Sequence, residues 1–136
     1  MNINRKFERR IVYILGVWQI MDGLITILFY GIYQQNNLIT NSGIPSEQIY
    51  ASEDILSSMF IFITVFGLLL IGFGLLNLVI AKNYIKDTII NNKIGIWLLI
   101  LGVTSYFIMD ILSVVLSISA GVIYLAKNKS IKTLNN

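Results

Sequence analysis

The sequence predicts an all-α integral membrane protein: a single membrane domain over residues 1–136, folded as an antiparallel bundle of four transmembrane helices. Three observations predict it. The chain is 56% hydrophobic and 12% charged, against about 25% charged residues in soluble domains. Its apolar residues fall in long blocks, 11–33, 56–81 and 94–126. All ten Lys and Arg residues lie outside these blocks, in three short segments.

A hydrocarbon core about 30 Å thick takes about 20 helical residues, so the first two blocks each supply one span. The 23-residue run at 11–33 exceeds the core of a signal peptide and is followed by no small-residue cleavage pattern, so it reads as a retained span. The third block, 33 residues broken by Asp110, would be about 50 Å long as one helix. As a hairpin it gives spans at 94–109 and 111–126. The absence of Gly and Pro around Tyr106-Phe107-Ile108-Met109-Asp110 argues against a tight turn there. Charge argues for it. Arg5, Lys6, Arg9 and Arg10 precede the first span, Lys82, Lys86 and Lys93 separate the second and third, and Lys127, Lys129 and Lys132 follow the last. The 34–55 connection has no basic residue and carries Glu47, Glu53 and Asp54. Basic residues near span ends stay cytoplasmic, which puts both termini inside a bacterial plasma membrane and the 34–55 loop outside. That loop reads as polar coil up to Pro45, which suits a helix start, followed by a helical extension of the second span from Ser46.

Helices in lipid associate through close approach at small residues and through polar contacts. The expected packing positions are Gly16 and Gly23 in the first span, Gly67, Gly72 and Gly74 in the second, Gly95 and Gly102 in the third, and Ser113, Ser117 and Gly121 in the fourth. Asp110 is placed to cap the fourth helix or to act as a carboxylate at its outer mouth. Trp97, Tyr30 and Tyr33 read as interfacial anchors, and Trp18 as a core residue one turn from Asp22.

The candidate intramembrane site is the first helix's polar stripe. Gln19, Asp22 and Thr26 share one face at i, i+3 and i+7. Asp22 is eleven residues beyond Ile11, about 16 Å into the membrane, where a carboxylate faces the bundle interior or water. No Lys or Arg lies in a span to pair it, so it is expected neutral unless water reaches it. Two uses are open. Asp22 and Gln19 hydrogen-bond to Ser105, Thr104, Thr64 or a backbone carbonyl and hold register, or Asp22 binds a proton or cation. Asn77, near the inner edge of the second span, reads first as an interfacial cap or water contact and second as a further polar contact of the site.

No cysteine or histidine is present, which removes disulfides, thiol chemistry and imidazole-based catalysis or metal ligation. Neither catalytic residue, metal site nor cofactor is expected. Glu8 and Asp87 are the only acids of the cytoplasmic segments, so an enzyme is the weakest class. A non-enzymatic accessory or interaction protein, such as an immunity protein or the companion of a membrane complex, ranks first. A small transporter or channel using Asp22 ranks second. The expected partners are the lipid bilayer and either another membrane protein or a second copy of the chain, with no nucleic acid.

Through "NRKFERRIVYILGV", "KIGIWLLILGV" and "LSISAGVIYLAKNK", the chain resembles small four-span membrane proteins of Gram-positive bacteria grouped as domains of unknown function. The abundance of Ile (26) over Ala (4) fits an AT-rich genome of that kind. The resemblance implies architecture and transfers no functional residue, and Asp22 departs from it.

Overall fold

Helix stop signals are sparse in this chain, and its helices are correspondingly long. The computed structural model describes residues 4–40, 46–87 and 90–134. Four α-helices follow in order: α1 (Lys6–Thr40), α2 (Ser46–Val79), α3 (Asn92–Phe107) and α4 (Ile111–Leu134), with a π-helical turn, Ile80–Tyr84, continuing α2. Asn4 Oδ1 accepts the Lys6 N–H at 2.9 Å and opens α1, while Asn91 Oδ1 accepts the Lys93 N–H at 3.1 Å and opens α3, each satisfying a backbone donor that the first turn leaves without a partner. The π turn closes through Ile85 N–H to Ile80 O at 3.1 Å, and the extended backbone of Ile85 (ψ 90°) ends it.

Among the described residues three segments are long and apolar enough to cross a membrane, Lys6–Tyr33, Ser57–Tyr84 and Ile111–Thr133. At 16 residues, α3 is about 24 Å long.

The helices outrun their expected ends. The stretch after Tyr33 is not coil: α1 continues to Thr40, because Gln34-Gln35-Asn36-Asn37 contains neither Gly nor Pro to stop it. Helix resumes at Ser46, and Pro45 lies outside the described residues. At the other end α4 passes 126 and reaches Leu134. Its polar tail folds hydroxyls back on the helix, Ser130 Oγ to Ala126 O at 3.2 Å and Thr133 Oγ1 to Lys129 O at 2.8 Å.

The third block is two helices. Met109 makes the turn in the left-handed region, φ 61°. Its N–H donates to Tyr106 O and the Asp110 N–H to Ser105 O, both at 3.1 Å, the pair of bonds that closes a helix when its C′ residue is left-handed. Asp110 then caps α4, its Oδ1 accepting the Ser113 N–H at 3.1 Å. A residue with a Cβ thus does the work expected of glycine.

The contacts divide the chain into two compact units, Met1–Gln19 with Gly74–Asn136, and Ile20–Phe73. In the first, α3 and α4 run antiparallel at close range. A Cβ on Gly95 would come within 2.5 Å of Leu125, and one on Gly102 within 2.6 Å of Ile118 and 2.8 Å of Ser117 Oγ. Gly121 is opposite Leu99 and the Gly95 carbonyl, and Gly16 against Gly74 O and Leu78. Val12, Leu15, Ala81, Leu98, Ala120, Ser113 and Ser117 are buried in this unit, and Ser117 Oγ donates to Ser113 O. In the second unit α1 and α2 meet backbone to backbone at Gly23 and Gly67, each placing a carbonyl where the other's Cβ would be. Gly72 is a correction: it is exposed, and a Cβ there would meet nothing within 4 Å. Only one side of a two-helix contact can be turned inward, and Gly72 is on the other side.

Candidate functional site

From Arg5, just before α1, the buried side chains of the first unit include Arg5, Glu8, Val12, Leu15 and Gln19, a repeat of three and four residues that defines one helical face. The face carries polar groups at both ends. Gln19, 1% exposed, accepts through Oε1 from Asn77 Nδ2 at 2.7 Å. Asn77 Oδ1 in turn accepts from the Trp97 indole N–H at 3.4 Å. The fully buried Asn77 thus ties α1, α2 and α3 together, as a polar contact of the bundle and not as an interfacial cap or water contact. Gln19 finds its partner on α2 because Asn77 packs beside it, whereas Thr104 donates to its own helix at Ile100 O, 2.9 Å away. Amide, amide and indole carry no titratable proton at neutral pH, so this chain can brace helices but cannot relay charge.

A second polar contact joins α1 to the α3–α4 turn. Trp18 Nε1 donates to Asp110 Oδ1 at 3.3 Å, the oxygen that also caps α4. Asp110 is therefore both a cap and a cross-helix acceptor, with Oδ2 and the neighbouring Ser113 Oγ buried and unpartnered in the protein. Trp18 spends its polar edge here, at Asp110. Asp22 and Thr26 are half-buried on α1 within the second unit, while Gln19 is buried within the first.

A further polar cluster among the described residues is not one that the sequence singles out. Arg5 is fully buried, its guanidinium 4.4 Å over the Tyr124 ring, a cation–π geometry. Its Nη2 donates to Asn128 Oδ1 at 2.5 Å, and its backbone N–H to Asp87 Oδ1 at 2.9 Å. Asn128 Nδ2 donates to Asn92 Oδ1 at 2.8 Å. Glu8, also fully buried, accepts from Lys127 Nζ at 2.8 Å, and the same ammonium reaches Asn4 O at 2.9 Å. Arg5 Nε and Nη1, Glu8 Oε1 and Tyr124 Oη are buried and unpartnered in the protein. The cluster locks the start of α1 to the end of α4 and to the segments before α3. Its sequence signal is faint: one acid, Glu8, three residues from Arg5, and Tyr124, Lys127 and Asn128 on one face of α4 at i, i+3 and i+4. Positive-inside counting treats such residues as solvated flanks, which hides their burial.

Among the described residues no group of His, Cys, Asp or Glu is placed to hold a metal ion. The chain matches no family model, no curated protein and no solved structure.

Proposed function

We propose that this multi-pass membrane protein is a non-enzymatic accessory protein of a bacterial plasma membrane, with four spans and both termini cytoplasmic, that works by docking another membrane protein, as an immunity protein or the companion of a membrane complex does. The observation that carries the reading is the surface of the Ile20–Phe73 unit. Large apolar side chains face outward along both of its helices, with Phe29 71% and Phe62 72% exposed. Lipid tolerates such a surface, and bulky aromatic side chains also supply the area on which membrane helices pack by van der Waals contact. Span count is supported by the α3–α4 turn, whose Tyr106, Phe107 and Met109 are exposed, and by the lysines at the far ends of both helices. A 16-residue α3 spans with modest thinning of the bilayer.

Three measurements test this. The chain has no cysteine, so single cysteines at Ser42 and Lys129 report sidedness: a membrane-impermeant maleimide added to intact cells should label S42C and spare K129C. Photo-crosslinkers at Phe29 and Phe62 should each give a discrete protein adduct in cells, and lipid adducts alone overturn the docking reading. In proteoliposomes, a proton or cation flux abolished by Asp22→Asn would replace it with the transporter reading, which rests on a half-buried carboxyl near the middle of α1.

A further inference from the structure

The first turns of α1 and the last turns of α2 enclose an open cavity of about 650 Å³, lined by Arg9, Arg10, Tyr13, Ile14, Leu78, Ala81 and Lys82. We infer that this cavity binds the headgroup and first acyl segment of an anionic phospholipid.

Three features select that occupant. The rim holds three cations and no acid. Glu8, the nearest acid on α1, is buried and ion-paired to Lys127, and among the described residues no carboxylate lies within ion-pair distance of Arg9, Arg10 or Lys82. The walls are apolar: Ile14, Leu78 and Ala81 line the depth where a soluble anion would find no donor, while an acyl chain would find contact. The cavity also lies where the charged flank of each helix gives way to its apolar span, the level at which a phosphodiester resides. Basic pockets between transmembrane helices at this depth suit anionic headgroups. A guanidinium reads two phosphate oxygens at once, the Lys82 ammonium adds a point charge, and Tyr13 is amphipathic enough to bridge headgroup and chain. Leu78, which lines the cavity, also packs against Gly16. The inference needs only that the chain is embedded in a membrane, and it stands or falls independently of the docking function.

The test uses the full-length protein, delipidated in neutral detergent and titrated with phosphatidylglycerol or phosphatidylcholine of matched chains. Retained lipid is counted by native mass spectrometry. One bound phosphatidylglycerol in clear preference to phosphatidylcholine is expected. Each cation near an anionic surface is worth about fivefold in affinity, so R9Q/R10Q/K82Q should lower phosphatidylglycerol affinity about a hundredfold. The charge-matched control K93Q/K129Q/K132Q, altered away from the cavity, should retain it. Equal retention of the two lipids, or equal loss in triple variant and control, overturns the inference. Displacement by millimolar inorganic phosphate overturns it as well, since the site would then be a headgroup-sized anion site without an acyl wall. If the triple variant does not fold, the single variants R10Q and K82Q carry the test with about fivefold losses each, and unchanged affinity in both rejects it. Leu78→Asn, which makes the wall polar and keeps all three cations, should weaken lipid without creating phosphate binding.

Discussion

Replacing Gly23 and Gly72 by alanine sets two chemically identical changes in one pair of helices against each other. Each gains the same intrinsic helix propensity, about 1 kcal/mol, so their difference isolates packing. At Gly23 the new Cβ would be 2.6 Å from Gly67 O, 2.8 Å from Ile71 Cγ1 and 3.2 Å from Ile71 N. Backbone cannot swing aside like the tip of a side chain, so α1 and α2 must separate locally. A gap of 0.5–1 Å, roughly what this clash requires, forfeits a quarter to a half of each neighbouring dispersion contact, and overpacking of this kind costs about 1–3 kcal/mol. At Gly72 the Cβ meets nothing within 4 Å, and only the propensity gain remains. Gly72→Ala should therefore be neutral to about 1 kcal/mol stabilising, with Gly23→Ala below it by about 1–3 kcal/mol. The assay is unfolding of the full chain in mixed micelles of neutral detergent and dodecyl sulfate, followed by circular dichroism. Equal midpoints for the two variants, or Gly72→Ala the less stable of the pair, would refute the claim that backbone contact at Gly23 and Gly67 holds this unit together.

The buried charge at the α1–α4 junction should behave as a coupled pair. Lys127→Met alone leaves Glu8 without its counter-ion and should destabilise by about 3 kcal/mol or more, while adding Glu8→Leu should recover most of that loss in a double-mutant cycle read by the same unfolding assay. Met109→Gly, which relieves a left-handed residue bearing a Cβ, should stabilise by about 1 kcal/mol, and a lower midpoint would mean that the side chain is needed at the turn. Asn77→Leu leaves the Gln19 amide without its partner and should cost about 1–3 kcal/mol. Trp97 emission should shift with it, and Gln19→Leu added to Asn77→Leu should restore stability without restoring the emission.

The α3–α4 turn shows where reading by residue type stops. Lysines after residue 126 require a chain that returns, while the lack of Gly and Pro argues for one that does not. The structure joins both by putting Met109 at a positive φ, a cost offset by two backbone bonds and by the Asp110 cap. Helix ends escape the sequence for a related reason: polar composition marks where a chain leaves lipid, but only Gly, Pro or a cap marks where a helix stops. Gln19 and Asn77 each stand out as polar residues in apolar spans, yet nothing in their 58-residue separation pairs them. Arg5 and Glu8 count as flanking charge because counting is blind to depth.

Hydrophobic block length and the placement of charge were sufficient by themselves to determine that this chain is helical, apolar-surfaced and multi-pass, since the bilayer imposes both on any sequence that enters it. Which polar groups meet was decided only by tertiary structure. Every helical face repeats at the same three-and-four spacing, and the rotation of each helix about its own axis, set by where glycines let backbones touch, chooses the face that turns inward. That choice buried Gln19 against Asn77 and Arg5 against Tyr124, turned Gly72 outward, and left Arg9, Arg10 and Lys82 around a cavity that no single segment encodes.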